Sequence, residues 1–269
     1  MLKFVANLAL LFPEATFLER FQKAADAGFR VVEMWVPFEF PLKELAQARE
    51  EAGVQLLQFN LDMGDYASGE RGLLSHPDQK GRFRAGFELA LEYARRLGVR
   101  QFNCLAGNRV TNHSKDEQLA CMKENLEWVV PHLEANDMIL NIEPLDAFYN
   151  PDYLFTRSRE LFPLLRELGL PGIGVLYDIF RAQLMEGNLV TTMRENLPLI
   201  GHIQIADVPG RHQPGTGEIN FRYVLAAIEA MGYDKFVSLE YAPLGSTEES
   251  LTWLPVECRV TAHADDLQL

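Results

Sequence analysis

The stretch Leu168-Gly169-Leu170-Pro171-Gly172-Ile173-Gly174-Val175-Leu176-Tyr177-Asp178 holds, in order, the end of a helical pattern, a glycine, an apolar run and a carboxylate. Glycine suits the left-handed conformation with which a helix ends and the chain turns into a strand. The run from Ile173 to Tyr177 is too continuously apolar for a strand with one wet face. It reads as a parallel strand covered on both sides.

The same junction recurs along the chain. It appears as Ala27-Gly28-Phe29 before Val31-Val32, Ala52-Gly53-Val54 before Leu56-Leu57, Leu97-Gly98-Val99 before Phe102, and Met231-Gly232-Tyr233 before Phe236-Val237. Ala135-Asn136 before Met138-Ile139-Leu140 is a copy with asparagine in place of glycine. The segments preceding these junctions carry helical periodicity, as in Phe83, Phe87, Leu89, Ala90, Tyr93 and Ala94 ahead of Gly98. Adding Phe4 to Asn7 and Ile203 to Ala206 gives eight βα units of about 34 residues each, and alternation at that period implies a parallel sheet closed into a barrel. The expected fold class is therefore α/β, a single (β/α)8 TIM barrel over residues 1–269, with an open doubly wound sheet as the alternative. The 256–269 tail has no clear pattern and is expected to be loosely ordered or to contact a partner.

A barrel of this kind builds its site where the strands end. The polar residues at those ends are Asn7, Glu33, Asn60, Asn103, Glu143, Asp178, Gln204 and Glu240. The last four place three carboxylates and an amide on one side of the rim. Converging carboxylates repel unless something positive lies among them, and a divalent cation is the natural answer. All-oxygen ligation favours a hard ion, so the expected cofactor is a divalent metal ion, Mg2+ or Mn2+. The plainer reading is that each acid caps the next helix or pairs with a lysine.

Several further segments give the chain a resemblance. They are Phe59-Asn60 with Gly64-Asp65, the run from Ala67 to Leu73, the run from Ala90 to Gly98, Asn103 to Gly107, and Met185 to Leu189. Gly201 to Ala206 follows, with Pro209, Arg211-His212 and Gly217 to Asn220. In this order the chain resembles the hydroxypyruvate isomerase family of xylose-isomerase-like barrels, from Phe4 to Pro243. The resemblance implies metal ligation by Glu143, Asp178, Gln204 and Glu240, with Glu143 and Glu240 also the catalytic acid/base pair. It implies conversion of hydroxypyruvate to tartronate semialdehyde through an enediolate, with 2-oxo-tetronate isomerase and ketose 3-epimerase as alternatives sharing the same metal shell.

One position departs from the family pattern. Where Asp-x-Phe-His is usual, this chain reads Asp178-Ile179-Phe180-Arg181. Arg181 could clamp a substrate carboxylate with two parallel hydrogen bonds, or point outward and pair with Glu186. Arg211 and Arg71 are further carboxylate-binding candidates, and Asn60 and His212 further substrate contacts. Glu33 could orient ligands from behind, Trp35, Phe38 and Phe40 could wall the pocket, and His202 reads as a structural histidine. Gly64 to Gly72 reads as a loop over the barrel mouth.

Composition narrows the rest. A formal net charge of −13 argues against binding a phosphate backbone, and six histidines are too few for a multi-zinc endonuclease. No apolar run approaches the roughly 20 residues of a membrane span. Cys104, Cys121 and Cys258 are too scattered for a disulfide framework, which fits a reducing, cytoplasmic setting. Pro171-Gly172-Ile173-Gly174 and Pro214-Gly215-Thr216-Gly217 lack the third glycine of a dinucleotide turn. The expected partner is a small hydroxy-keto acid or sugar, with no nucleic acid and no membrane, and self-association into a homo-oligomer is compatible with the sequence. A non-catalytic sugar-binding barrel is the contrasting class.

Overall fold

A computed structural model describes residues 1–269. The parallel strands are β1 (Leu2–Asn7), β2 (Val31–Glu33), β3 (Gln55–Leu56), β4 (Gln58–Asn60), β5 (Gln101–Leu105), β6 (Ile139–Glu143), β7 (Ile173–Asp178), β8 (Ile200–Ile205) and β9 (Phe236–Leu239). Their order across the sheet is β3-β2-β1-β9-β8-β7-β6-β5-β4. The two ends of that order, β3 and β4, are halves of one strand interrupted only at Leu57, so the sheet closes as an eight-stranded barrel. The open-sheet alternative is excluded.

Helices α1 (Glu19–Asp26), α2 (Leu42–Ala52), α3 (Lys80–Leu97), α4 (Lys115–Asn136), α5 (Ser158–Leu168), α6 (Ile179–Met185), α7 (Leu189–Asn196), α8 (Phe221–Ala230) and α9 (Thr247–Ser250) fall between or after the strands. The predicted junctions are real turns: α5 ends on Gly169 at φ 58°. The copy without glycine differs by one residue. Asn136 completes α4, and Asp137 takes the left-handed turn at φ 51°. Asparagine and aspartate both tolerate that region because a short polar side chain satisfies nearby backbone. On α3 the inner stripe is Phe83, Phe87, Ala90, Leu91, Ala94 and Leu97, whereas Leu89 faces solvent at 43 % exposure. No helix is long and apolar enough to cross a membrane.

The tail is packed rather than loose. Strand β10 (Thr261–Ala262) pairs antiparallel with β1, Leu2 opposite Ala262. Buried Arg259 donates to Leu254 O and Ala27 O, while Cys258, Ala262, Ala264 and Leu267 join the core. A positive charge satisfied by backbone carbonyls has no sequence signature, which is why this segment looks patternless on paper.

Strand alternation sets what lies inside the barrel. Glu143 and Asn141, Gln204 and His202, Glu240 and Ser238, Asn60 and Gln58, and Asn103 and Gln101 are each two residues apart. Each of these five site residues therefore stands above a buried polar neighbour on the same face. The register places Asp178 opposite Gln204 and Asn7 opposite Glu33.

Candidate active site

The barrel rim brings Glu143, Asp178 and Glu240 together, one carboxylate oxygen of each lying within 4.8 Å of the others. All three side chains are buried. Glu143 Oε2 accepts from Asn103 Nδ2 at 2.7 Å, and its Oε1 accepts from Arg181 Nε at 3.0 Å. Glu240 Oε1 accepts from Trp35 Nε1 at 2.7 Å and from Asn7 Nδ2 at 3.3 Å, while its Oε2 accepts from Arg211 Nη2.

Asp178 combines two roles that the sequence reading set against each other. Its Oδ1 caps α6, accepting from Phe180 N at 2.9 Å and Arg181 N at 3.5 Å. Its Oδ2 faces the cluster, 3.0 Å from Arg181 Nε. One oxygen fixes the carboxylate to the helix N-terminus, and the other is presented in a set direction.

Gln204 stands opposite Asp178 on the neighbouring strand. Its Nε2 donates to Glu33 Oε1 at 2.8 Å, and its buried Oε1 has no hydrogen-bond partner. Glu33 is itself the hub of the layer below, accepting from Asn7 Nδ2 at 2.7 Å and Gln58 Nε2 at 3.0 Å, with His202 Nε2 2.7 Å away. Burial works to raise the Glu33 carboxyl, but the adjacent His202 and the hydrogen bonds outweigh it and hold the group below its ordinary range.

The electrostatics of the cluster run the other way. Burial pushes Glu143 up to about 7; Arg181 opposes this, while Glu240 and Asp178 add to it. Burial likewise pushes Asp178 up to about 6 against the pull of Arg181. Three converging acid oxygens, two of the acids pushed toward neutrality, with an unpartnered amide oxygen on the neighbouring strand, are of a chemistry that would fit a hard divalent cation.

Beside the cluster lies a small cavity of about 30 Å³, lined by Trp35, Asn60, Met63, Tyr66, Leu105, Glu143, Leu145, Arg181 and Glu240. Asn60 is among these residues, accepting from Asn103 Nδ2 at 3.1 Å. Met63 and Tyr66 come from the loop over the mouth. That loop needs Gly72, at φ 97°, because a Cβ there would meet Leu105 O at 2.2 Å.

The remaining candidates divide between the cluster and the surrounding loops. Arg181 does not point outward: Glu186 is taken by Ser158 and Arg159, and Arg181 turns inward to the acids. Arg71 does not join the cluster. Its Nε donates to Asn150 Oδ1, Nη1 donates to Tyr66 O and Glu70 O, and the guanidinium lies 3.8 Å over the Tyr66 ring, bracing the loop. His212 lies beside the site with Nδ1 2.7 Å from Ala242 O. Phe38 packs on Phe59 and Tyr93, and Phe40 stacks on Phe17, so neither walls this cavity. Trp35 does, and its indole N–H on Glu240 is a role its aromatic character did not reveal.

Sequence reading missed three residues. Asp146, fully buried, accepts from Arg181 Nη1 at 2.6 Å. Tyr153 donates its hydroxyl to Glu143 O at 2.8 Å. Asp207 gathers Val208 N, Gly215 N, Gly217 N and Ile219 N, shaping the loop that carries Arg211. Only the last had a signal, a carboxylate just ahead of a Gly-rich segment.

Residues 21–255 match the family model described as a xylose isomerase-like TIM barrel. The chain belongs to that family. It is 40% identical over 254 residues to "Hydroxypyruvate isomerase" of Escherichia coli (strain K12), covering 94% of this chain and 98% of that one. It is 36% identical to "2-oxo-tetronate isomerase" of Pectobacterium atrosepticum, covering 94% and 97%. Among solved structures, one titled AP endonuclease, family 2, from Brucella melitensis superposes with a TM-score of 0.91 at 33% identity, covering 94% of this chain and 98% of that one. A 3-keto-D-glucoside 4-epimerase from E. coli, at 20% identity and a TM-score of 0.78, shows the fold alone.

Proposed function

We propose that this chain is a metal-dependent isomerase that interconverts hydroxypyruvate and tartronate semialdehyde by passing a proton between Glu143 and Glu240. The observation that carries the reading is the convergence of Glu143, Asp178 and Glu240 within 4.8 Å, with Glu143 and Glu240 lining the adjoining cavity. The names of the relatives at 40% and 36% identity support an α-hydroxycarbonyl acid as substrate.

Glu143, Asp178, Gln204 and Glu240 would hold the cation. When bound, it supplies Lewis-acid polarisation of adjacent carbonyl and hydroxyl oxygens, which makes the intervening C–H acidic. The protein's own residues do the rest. One glutamate takes a proton from C3 of hydroxypyruvate, leaving the enediolate, and a proton is delivered to C2. The hydroxyl hydrogen moves from O3 to O2, so one C–H bond breaks, one forms, and no oxidant is consumed. Trp35 and Asn7 fix the Glu240 carboxylate and Asn103 fixes that of Glu143, so neither must reorganise as charge moves.

A 2-oxo-tetronate, one carbon longer, is the second reading, favoured by the 36% identical relative of that name. The solved structure titled AP endonuclease does not make a nucleic-acid reading competitive, because a net charge of −13 repels a phosphate backbone. Incubation in D2O with hydroxypyruvate, 2-oxo-tetronates and ketohexoses, with and without chelator, tests the proposal. Deuterium should enter carbon in the acid substrates and stop when metal is stripped. Exchange that survives chelation, or that occurs only with ketohexoses, would contradict it.

A further inference from the structure

Arg181 lies where a bound cation would need room. Its Nε is 3.0 Å from both Glu143 Oε1 and Asp178 Oδ2, two oxygens of the acid cluster. Its Nη1 is 2.6 Å from Asp146 Oδ2, and Nη2 carries no protein hydrogen bond although the side chain lines the cavity. Asp146 lies outside the trio. It is fully buried and fixed by its own turn, Oδ1 accepting from Tyr149 N at 2.8 Å.

We infer that Arg181, anchored by Asp146, is a specificity-determining residue with two linked tasks: it serves as the internal counter-cation of Glu143 and Asp178, in competition with the metal, and it recognises the carboxylate of the substrate. This rests on the metal-dependent reading above. Two cations cannot share the same carboxylate oxygens without repulsion, so ligation by Glu143 and Asp178 weakens the Nε contacts. Asp146 keeps a partner for Nη1 throughout, so the arginine stays charged and stays at the cavity wall. Its planar fork, relieved of two acids, matches a carboxylate in a way that a neutral sugar hydroxyl cannot exploit.

The two tasks predict effects of opposite sign, which a merely structural arginine would not give. Mn2+ is titrated calorimetrically into metal-free wild type, Arg181→Gln and Arg181→His at about pH 8, where imidazole is neutral. Circular dichroism checks each fold. Both variants should bind Mn2+ at least about tenfold more tightly, because a like charge has left the site. KM for hydroxypyruvate should rise by roughly 10- to 100-fold, because a charge-assisted contact is lost. Arg181→Lys, which keeps the charge without the fork, should bind Mn2+ as wild type does and still show a raised KM. If Arg181→Gln fails to fold with Asp146 unpaired, Arg181→Gln combined with Asp146→Asn is compared with Asp146→Asn alone, and the same tightening is expected. Unchanged or weaker Mn2+ binding in folded variants, with wild type binding normally, overturns this inference alone. Failure of wild type to bind Mn2+ or Mg2+ overturns it together with the metal-dependent reading.

Discussion

Glu33 fixes Gln204 by accepting its Nε2 at 2.8 Å, and that bond leaves the amide oxygen without a partner, free for the ligand role proposed for it. Both residues are buried, at 1 % and 2 % exposure, so no water can substitute for either partner. Glu33→Ala therefore frees Gln204 to rotate and strips Asn7, Gln58 and His202 of their shared acceptor. The expected result is a 10- to 100-fold loss of Mn2+ affinity, as is typical when the residue orienting a ligand is removed. A stability loss on the order of 3–5 kcal/mol should accompany it in urea unfolding. Glu33→Gln should lose less on both counts.

Trp35→Phe removes the donor to Glu240 Oε1 but keeps an aromatic ring at the cavity wall. Arg211 and Asn7 still hold the carboxylate. The variant should unfold within about 1 kcal/mol of wild type, while kcat falls about tenfold, since one neutral hydrogen bond to a charged group is lost. Steady-state kinetics beside a denaturation curve separates the two effects.

Metal-free protein should lose stability as the pH rises. Glu143 at about 7 and Asp178 at about 6 lie above their ordinary carboxylate values, so the folded state holds protons that the unfolded chain has already released. Stability from these groups is complete below the unfolded value, near 4, and is lost as pH climbs through the folded values of about 6 and about 7. The melting temperature of chelated protein should drop between about pH 5 and about pH 8, and saturating Mn2+ should abolish most of that drop, because ligation replaces the protons. Parallel curves with and without metal would contradict the assignment.

Gly72→Ala places a methyl group 2.2 Å from Leu105 O in a backbone region unsuited to L-residues, so the loop carrying Met63 and Tyr66 must shift. The cost should be about 1–3 kcal/mol in the unfolding free energy. Because Met63 and Tyr66 line the cavity, KM should rise more than kcat falls, which initial-rate measurements would reveal.

How much of this was legible beforehand follows a physical line. Periodicities of 3.6 and 2 run along the chain itself, so the barrel and the residues near its strand ends could be read directly: Glu143 and Asp178 close their strands, Gln204 is the last residue but one of its strand, and Glu240 follows directly after its own. Loop conformation is not written in any period. Arg71 has the chemistry of a carboxylate clamp, yet Asn150, Tyr66 and Glu70 take its guanidinium into the loop. Asp146 lies three residues past Glu143 with nothing in its neighbours to mark it, and only the fold brings it to Arg181. The direction of Arg181 itself depended on whether Glu186 was free, and Ser158 and Arg159 had already claimed it.

The claim that Glu143 and Glu240 divide the proton transfer is tested most directly by Glu143→Gln and Glu240→Gln, each loaded with metal and given hydroxypyruvate in D2O. One variant should exchange the C3 hydrogens with solvent while making no tartronate semialdehyde, and the other should do neither. Near wild-type product formation by either variant would contradict a two-glutamate relay.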